Sequence, residues 1–369
     1  MPRLAPSLLR QARAIDVLLP PLLPACRDLR SAENELRWLK DHAIKTGRQC
    51  GLAHSDASLK RLVARRARGE PIQYILGTEY FGDLELKCQP GVLIPRQETA
   101  ASVTHLAQQL SKKRKGRPSD LHILDLCSGS GCIPLLFHHE FYAQPGNEHC
   151  KLHMVGADIS VQALELARRN QKSQIAAQSK RVTAQTTSLA AMRFLHADVL
   201  LSEAANAIHA PIGVVEALQQ LTNTRPTPAY EVLISNPPYI SSQAFRTTTA
   251  RSVRNFEPKL ALVPDNPSSA PSALDGDVFY PRLLALADQL RTEIILFEVA
   301  DIDQAQRVAT LLARQSTWRT VEIWRDEPGA TSDEADHVLL DGGESVPVRG
   351  AGNGRSVFAY RGAAAAWLQ

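Results

Sequence analysis

Short apolar runs that end in polar residues constrain the fold of this chain more than any other feature. The main runs cover residues 121–126, 152–158, 230–235 and 293–298, and the stretch 161–170 has the apolar spacing of a helix. Apolar runs of about four to eight residues between helices are typical of buried parallel strands. The alternation predicts a doubly wound α/β sheet, which binds ligands at the carboxyl ends of its strands.

Helical spacing also marks the beginning of the chain. Between residues 31 and 68, apolar residues recur at helical intervals among charged ones, which predicts a small helical domain. A Gly-Glu-Pro sequence at 69–71 ends this pattern, and the pair Gly82-Asp83 predicts a tight hairpin. The predicted division is a helical domain at 1–77, a β-hairpin linker at 78–100 and an α/β domain at 101–369.

The remaining segments are less regular. The stretch 171–228 is rich in Ala, Gln, Thr and Ser, and it predicts two insertions around one strand that ends at Asp198. Two further loops are predicted at 265–277 and 342–354. Apolar runs at 321–324 and 356–360 predict a late antiparallel pair of strands.

Composition excludes several classes of protein. Hydrophobic residues make up 44% of the chain and charged residues 22%, as in ordinary globular proteins, and the net charge of +4 is too small to require a nucleic-acid partner. The six cysteines form no C-x-x-C pair, which argues against a disulfide framework and indicates a reducing compartment. Cys150 and the histidines near it lack regular ligand spacing, so no metal site is expected.

The first 27 residues allow two interpretations. Arg3, Arg10, Arg13 and Arg27 outnumber the nearby acids, as in a mitochondrial transit peptide, although Ser and Thr are scarce. The alternative is that this segment contains the first helix of the N-terminal domain. Prolines interrupt the apolar stretch 17–26, so no membrane-spanning helix is expected there.

A glycine-rich turn follows the first parallel strand. Gly129 and Gly131 let the backbone approach a ligand closely, but the sequence Cys-Ile-Pro that follows departs from the dinucleotide pattern. Asp158 and Asp198 end the next two strands. Together with Asp125 on the first strand, these residues place an acid on each of three consecutive strands. This arrangement suits a nucleoside with ribose hydroxyls and an exocyclic amine but no phosphate.

The sequence Asn236-Pro237-Pro238-Tyr239 follows another predicted strand. Asn236 offers a carbonyl acceptor, and a proline fixes the direction of a neighbouring backbone carbonyl. Two such acceptors can hold a planar NH2 group, and Tyr239 can pack on its plane. Orientation of a weakly nucleophilic amide nitrogen towards a methyl donor then needs no strong base.

Five segments together resemble the HemK/PrmC family of release-factor glutamine N5-methyltransferases. They are Gly-Glu-Pro-Ile-Gln-Tyr at 69–74, Leu-Ile-Pro-Arg-Gln-Glu-Thr at 93–99, the first strand and turn at 123–131, Ser-Asn-Pro-Pro-Tyr-Ile at 235–240 and Phe-Glu-Pro at 256–258. The resemblance covers nearly the whole chain. It implies a doubly wound, seven-stranded, Rossmann-like class I methyltransferase sheet with a small N-terminal helical domain.

The resemblance also implies S-adenosyl-L-methionine as cofactor and assigns site residues. The implied cofactor-binding residues are Asp125, Cys127, Ser128, Gly129, Ser130, Gly131, Asp158, Asp198, Val199 and Asn236. The implied catalytic residues are Asn236, Pro237, Pro238 and Tyr239, and the same four bind the substrate glutamine together with Pro95 and Arg96.

The chain departs from the family pattern at several positions. Cys127 replaces the first glycine of the turn, and we expect it to keep a negative φ. Gln97 and Ala100 replace a common proline and acid, and the segment 298–300 lacks a glycine often found there. These departures affect the expected contacts at the rim of the site.

The resemblance implies methyl transfer to the glutamine of a Gly-Gly-Gln motif in a peptide-chain release factor, with neither stable nucleic-acid binding nor membrane attachment. One alternative is an adenine N6 methyltransferase on DNA or RNA, but we find no distinct target-recognition domain or broad basic stripe. The other is a non-catalytic scaffold that binds a translation factor, which Asn236 and Asp158 argue against. The expected location is the mitochondrial matrix if the source is eukaryotic and the cytoplasm if it is bacterial.

Overall fold

The structure is a computed structural model that describes residues 4–49, 56–112, 116–178, 182–201, 211–224, 227–265, 274–331 and 336–368. The chain forms two compact units. The first contains residues 1–79, 88–90 and 249–257, and the second contains 80–87, 91–248 and 258–369.

The described helices and strands follow in chain order. The helices are α1 (Pro6–Ile15), α2 (Leu23–Cys26), α3 (Leu29–Gln49), α4 (Asp56–Ala67), α5 (Ile72–Leu76), α6 (Gln97–Lys112), α7 (Cys132–Ala143), α8 (Val161–Ala177), α9 (Ala184–Ala191), α10 (Val214–Thr222), α11 (Ser242–Thr247), α12 (Arg251–Phe256), α13 (Phe279–Gln289), α14 (Ile302–Ala313) and α15 (Ala364–Leu368). The strands are β1 (Thr78–Phe81), β2 (Leu84–Lys87), β3 (Asp120–Leu126), β4 (Lys151–Asp158), β5 (Arg193–Asp198), β6 (Ile212–Gly213), β7 (Val232–Ser235), β8 (Ile294–Glu298), β9 (Thr320–Glu327), β10 (Asp336–Leu339), β11 (Ser345–Arg349) and β12 (Ala351–Tyr360).

The first unit is helical. Its apolar core is built by α1 to α5, with Leu23, Leu39 and Leu59 buried at its centre. The helices predicted between residues 31 and 68 are present as α3 and α4, and α1 and α2 precede them. Arg66 forms a two-pronged ion pair with Glu35, with nitrogen-to-oxygen distances of 2.6 and 2.9 Å, and both side chains are only 12% exposed. This pair ties α4 to α3.

The second unit contains a large mixed sheet. Among the described residues, ten strands follow the order β10-β11-β9-β12-β8-β7-β3-β4-β5-β6. The run from β8 to β6 is parallel, whereas β12 is antiparallel to both β8 and β9. The predicted strands and the late antiparallel pair are confirmed, and β1 and β2 form the predicted hairpin. The predicted seven-stranded sheet is extended by β6 at one edge and by β11 and β10 at the other.

Helices cover both faces of this sheet because successive strand residues point to opposite sides. On β3, for example, Ile123 belongs to a core with α6, α7 and α8, whereas Leu124 belongs to a core with α10, α13 and α14. The sheet is therefore doubly wound. Within the described part of the chain, no helix is both long and apolar enough to span a membrane.

The loop predicted at 342–354 is wrong over most of its length, because residues 345–349 and 351–354 belong to the strands β11 and β12. Residues 345–349 form β11, which pairs with β9 because Val346 and Val348 alternate into the core. In the stretch 171–228, the described residues add α9, β6 and α10, while 179–181, 202–210 and 225–226 lie outside the description. Of the loop predicted at 265–277, residues 266–273 also lie outside it.

Candidate cofactor and acceptor site

The carboxyl ends of the parallel strands meet along one edge of the sheet. Leu126 at the end of β3 is paired with Ala157 of β4 and Ser235 of β7. This register brings the polar residues that follow the strands together around a cavity of about 280 Å³. Six of the predicted cofactor-binding residues line this cavity: Cys127, Gly129, Asp158, Asp198, Val199 and Asn236. Pro238 lines it as well.

The glycine-rich turn after β3 has a left-handed backbone. Cys127, Gly129 and Gly131 have φ values of 63°, 55° and 74°. The expectation that Cys127 keeps a negative φ is therefore wrong. The turn is anchored to the end of β4, because Ser128 N donates to the Ala157 carbonyl at 3.1 Å. The backbone therefore has to reverse sharply at Cys127, just before Ser128.

Gly129 is the point where the turn leaves space for a ligand. A Cβ atom at this position would meet no other atom within 4 Å, and the residue lines the cavity. At Gly131, by contrast, a Cβ would lie 3.0 Å from Ala167 and Phe194. Gly129 therefore keeps the cavity open, whereas Gly131 allows close packing beneath it.

Asp158 is the best-placed acceptor in the cavity. Its Oδ2 accepts a hydrogen bond from Gly129 N at 2.7 Å, and its Oδ1 accepts one from Ser160 N at 2.8 Å. Each carboxylate oxygen has a second lone pair, so two acceptor positions remain for ligand hydroxyls. Burial raises the pKa of Asp158, and hydrogen bonds from the backbone of Ser160, Gly129 and Ile159 oppose that rise. Asp198 Oδ1 accepts a hydrogen bond from Leu200 N at 2.8 Å.

Four predicted cofactor-binding residues lie outside the cavity lining. Ser128, Ser130 and Asp125 are buried, and Gly131 is the N-cap residue of α7. The Ser128 hydroxyl donates to Asp125, whose Oδ1 is buried without a partner among the described residues. Burial raises the pKa of Asp125 to about 8. These residues support the turn, and their contact with a cofactor stays a prediction.

Asn236 and Pro238 of the Asn-Pro-Pro-Tyr element line the cavity after β7, whereas Tyr239 is not one of the lining residues. Asn236 is half-buried at the cavity and its Nδ2 donates to Thr99 Oγ1 at 3.4 Å. Pro237 is buried and does not line the cavity. The Tyr239 hydroxyl donates to Glu298 Oε1 at 3.0 Å, and its backbone carbonyl accepts from Gln304 Nε2 at 3.2 Å. The element is thus held from both ends.

Pro95 and Arg96 precede α6. Pro95 is buried, Arg96 is half-buried, and neither lines the cavity, whereas Leu93 does. Burial and the carboxylate of Glu298 raise the pKa of Tyr239, and the positive charge of Arg96 opposes this rise. Arg96 therefore acts on Tyr239 electrostatically. The expected roles of Pro95 and Arg96 in substrate binding stay predictions.

Two residues contribute to this site although the sequence pattern did not predict them. Glu298 ends β8, the same position that the acids occupy on the other strands, but the sequence pattern predicted no role for it. Thr99 lies within the segment 93–99, and its hydroxyl donates to Glu298. The position of Glu298 at a strand end was a signal available in the sequence.

The groups considered for a metal site have other contacts. His138 donates to the Gln185 carbonyl at 2.9 Å, and the Cys150 thiol faces the Pro118 carbonyl at 3.8 Å. His153 stacks on His122 with ring centroids 4.6 Å apart. Within the described residues, one cluster has ligand atoms within 4.8 Å of one another: Asp83, His139 and Glu140. None of these three lines the cavity.

Comparison with known proteins identifies the family. The model of the PrmC N-terminal domain matches residues 25–77. The mitochondrial MRF1 N(5)-glutamine methyltransferase MTQ1 of Saccharomyces cerevisiae is 31% identical over 264 residues, which are 71% of this chain and 68% of the relative. The release factor glutamine methyltransferase of Chlorobaculum tepidum is 30% identical over 277 residues, 73% of this chain and 77% of the relative. The chain belongs to the release factor glutamine methyltransferase family.

Other comparisons agree in name. A probable MRF1 mitochondrial N(5)-glutamine methyltransferase of Schizosaccharomyces pombe is 31% identical over 300 residues, 79% of this chain and 83% of the relative. Among solved structures, a putative class I S-adenosylmethionine-dependent methyltransferase from Listeria monocytogenes superposes with a TM-score of 0.40 at 10% identity, covering 89% of this chain and 88% of that one. A TM-score this low adds nothing to the fold described above.

The protein is therefore a methyltransferase, and S-adenosylmethionine is its cofactor. The predicted fold, a class I methyltransferase sheet with an N-terminal helical domain, is confirmed. The cavity fits this cofactor, because Asp158 retains two lone pairs for ribose hydroxyls and Gly129 leaves the space above the turn open. When bound, S-adenosylmethionine supplies an electrophilic methyl group.

Proposed function

We propose that the protein methylates the side-chain amide nitrogen, N5, of the glutamine in the Gly-Gly-Gln motif of a peptide-chain release factor. The observation that carries this proposal is the position of Asn236. It lies on the wall of the cofactor cavity, in a chain whose relatives are named for glutamine methylation of release factors. The acceptor nitrogen and the methyl donor would then meet within one cavity.

The chemistry assigned to the chain's own residues is orientation. Asn236 Oδ1 and a proline backbone carbonyl each accept one N–H of the glutamine amide, which fixes the nitrogen in position. As the new N–C bond forms and the sulfonium S–C bond breaks, the nitrogen would become positive, and the two acceptors would stabilise its N–H groups. The Tyr239 ring packs on the amide plane, and its hydroxyl bond to Glu298 holds the ring in place. The released proton passes to solvent.

We also propose that the helical domain at 1–77 docks the release factor. The first compact unit carries 16 Lys and Arg residues against nine Asp and Glu, although the whole chain has a net charge of only +4. A local positive excess of this kind favours encounter with an acidic partner. The hairpin linker at 78–100 contributes Gly91, Val92 and Leu93 to the cavity wall, and residues 101–369 supply the rest of it.

The proposed partner is a mitochondrial release factor, provided that the source is eukaryotic. Two relatives carry mitochondrial MRF1 in their names, and the arginine-rich first 27 residues fit import into the matrix. In a bacterial source the enzyme would act in the cytoplasm. No stable binding to nucleic acid is proposed.

The test is transfer of a labelled methyl group from S-adenosylmethionine to a purified release factor, beside its Gly-Gly-Gln Gln→Ala variant and a nucleic-acid sample. An Asn236→Ala enzyme serves as the control for the acceptor site. Label on the intact factor alone, lost with either variant, supports the proposal. Label on nucleic acid would instead support the adenine N6 alternative, and cofactor binding without transfer would support the scaffold.

A further inference from the structure

A buried polar cluster lies behind the Asn-Pro-Pro-Tyr element. Glu298 and Thr99 are each only 4% exposed, and the Thr99 hydroxyl donates to Glu298 Oε2. The Tyr239 hydroxyl donates to the other oxygen, Oε1, at 3.0 Å. Asn236 Nδ2 then donates to Thr99 Oγ1 at 3.4 Å. One buried carboxylate is thus connected to both ends of the acceptor element.

The Glu298 side chain depends on the hydroxyl donors of Thr99 and Tyr239, because the charged groups around it do not satisfy it. Arg355 acts on Glu298 electrostatically, but its guanidinium donates to Asp326 Oδ1 at 2.8 Å. Glu98 has the same sign of charge as Glu298 and repels it. A buried carboxylate needs donors because its removal from water is costly. Thr99 and Tyr239 provide them.

The direction of each hydrogen bond follows from a count of protons. Glu298 accepts from both the Tyr239 and the Thr99 hydroxyl, so the single hydroxyl proton of Thr99 points to Glu298. Thr99 then offers Asn236 only a lone pair, and only the NH2 end of the Asn236 amide can bind a lone pair. The carbonyl oxygen of Asn236 is therefore turned away from Thr99.

We propose that Glu298 and Thr99 are positioning residues that fix the amide of Asn236 with its carbonyl oxygen available to the substrate glutamine. This inference rests on the proposed role of Asn236 as an acceptor for the glutamine NH2 group. A reversed Asn236 amide would place NH2 against NH2, which removes an acceptor and creates a donor–donor contact. The cluster selects the productive orientation before substrate arrives, as preorganisation requires.

Three variants test the direction of the hydrogen bonds from Thr99 to Glu298 and from Asn236 to Thr99. Thr99→Val keeps the side-chain shape but removes the hydroxyl, and Thr99→Ser keeps the hydroxyl. Glu298→Gln keeps the volume but adds an NH2 group, which can donate to Thr99 and reverse the chain. We expect Thr99→Val and Glu298→Gln to lower kcat by about 100-fold, the scale of a misplaced reacting group, while Thr99→Ser stays within about threefold of wild type.

The matched control is Ser102→Ala. Ser102 is buried in the same region and shares a hydrogen bond of 3.0 Å with Ser356, but it does not belong to the chain from Glu298 to Asn236. It should leave kcat close to wild type. The dissociation constant of S-adenosylmethionine, measured by calorimetry, should be unchanged in all four variants, because none of them removes a group proposed to contact the cofactor.

A double-mutant cycle separates positioning from general damage. If Thr99 acts through Asn236, Thr99→Val should have no further effect on the residual kcat of Asn236→Ala. An equal fractional loss in both backgrounds would overturn the inference, as would a wild-type kcat for Thr99→Val or Glu298→Gln. Should Thr99→Val fail to bind cofactor, Glu298→Gln alone decides. Full activity of Asn236→Ala would instead refute the proposed acceptor site itself.

Discussion

Substitution of Gly129 by alanine tests the cofactor site directly. The residue has a φ of 55°, and an added Cβ would meet no atom of the protein within 4 Å. The folding cost is therefore the left-handed backbone alone, about 1 kcal/mol. The Gly129 N–H that bonds to Asp158 is retained. Any larger effect has to come from what occupies the cavity.

The methyl group of the alanine would occupy space that we assign to the cofactor. Overpacking of a well-fitted site by one methyl group costs about 1 to 3 kcal/mol. This corresponds to a dissociation constant for S-adenosylmethionine that is about 5- to 150-fold higher. Titration calorimetry with the cofactor measures this directly, and chemical unfolding without cofactor gives the stability cost.

Gly77 provides a matched control. It has a φ of 80°, a Cβ there would also meet nothing within 4 Å, and it does not line the cavity. Gly77→Ala should also lower the unfolding free energy by about 1 kcal/mol, because alanine is strained in the left-handed backbone, and it should bind the cofactor normally. Equal cofactor affinities for Gly129→Ala and Gly77→Ala would refute our placement of the cofactor over the glycine-rich turn.

Three further predictions concern other parts of the molecule. A Cβ at Gly276 would lie 2.4 Å from the carbonyl oxygen of Tyr239, so Gly276→Ala should shift the acceptor element and lower kcat by about tenfold or more in the methyl-transfer assay. Burial lowers the pKa of His138 to about 4, below the unfolded value of 6.5. The contribution of His138 to stability is therefore complete above pH 6.5 and is lost as the pH falls towards 4, by about 2 kcal/mol between pH 6.5 and 5. In urea titrations, His138→Gln should reduce this loss of unfolding free energy. Glu35→Gln leaves Arg66, whose side chain is only 12% exposed, without its counter-charge and should cost about 3 kcal/mol of unfolding free energy, measured the same way.

Each of these predictions has a clear contrary result. Wild-type kcat for Gly276→Ala would mean that the acceptor element tolerates displacement. A His138→Gln variant with the same loss of stability at low pH as wild type would assign that loss to other groups, among them His105, whose pKa burial also lowers to about 4. Unchanged stability of Glu35→Gln would show that Arg66 is solvated without its partner.

Local sequence determined the framework of the site. The apolar runs that became β3, β4, β7 and β8 are recognisable one by one, since a strand that is buried on both faces has to be largely apolar. Parallel strands align their carboxyl ends, so the residues that follow them meet at one edge. For this reason Asp158, Asp198 and Asn236 could be assigned to one site without a structure.

Only the tertiary structure decided how these residues are held. The contact between Thr99 and Glu298 joins residues 199 positions apart, and its existence depends on how α6 packs against the sheet. The positive φ of Cys127 arises from hydrogen bonds that tie the turn to β4. The strand β11 forms because it can pair with the backbone of β9. Sequence patterns report which residues prefer burial and which regular conformation they favour. The direction of a side-chain hydrogen bond depends on the partner that packing brings to it, and that partner is fixed only when the chain has folded.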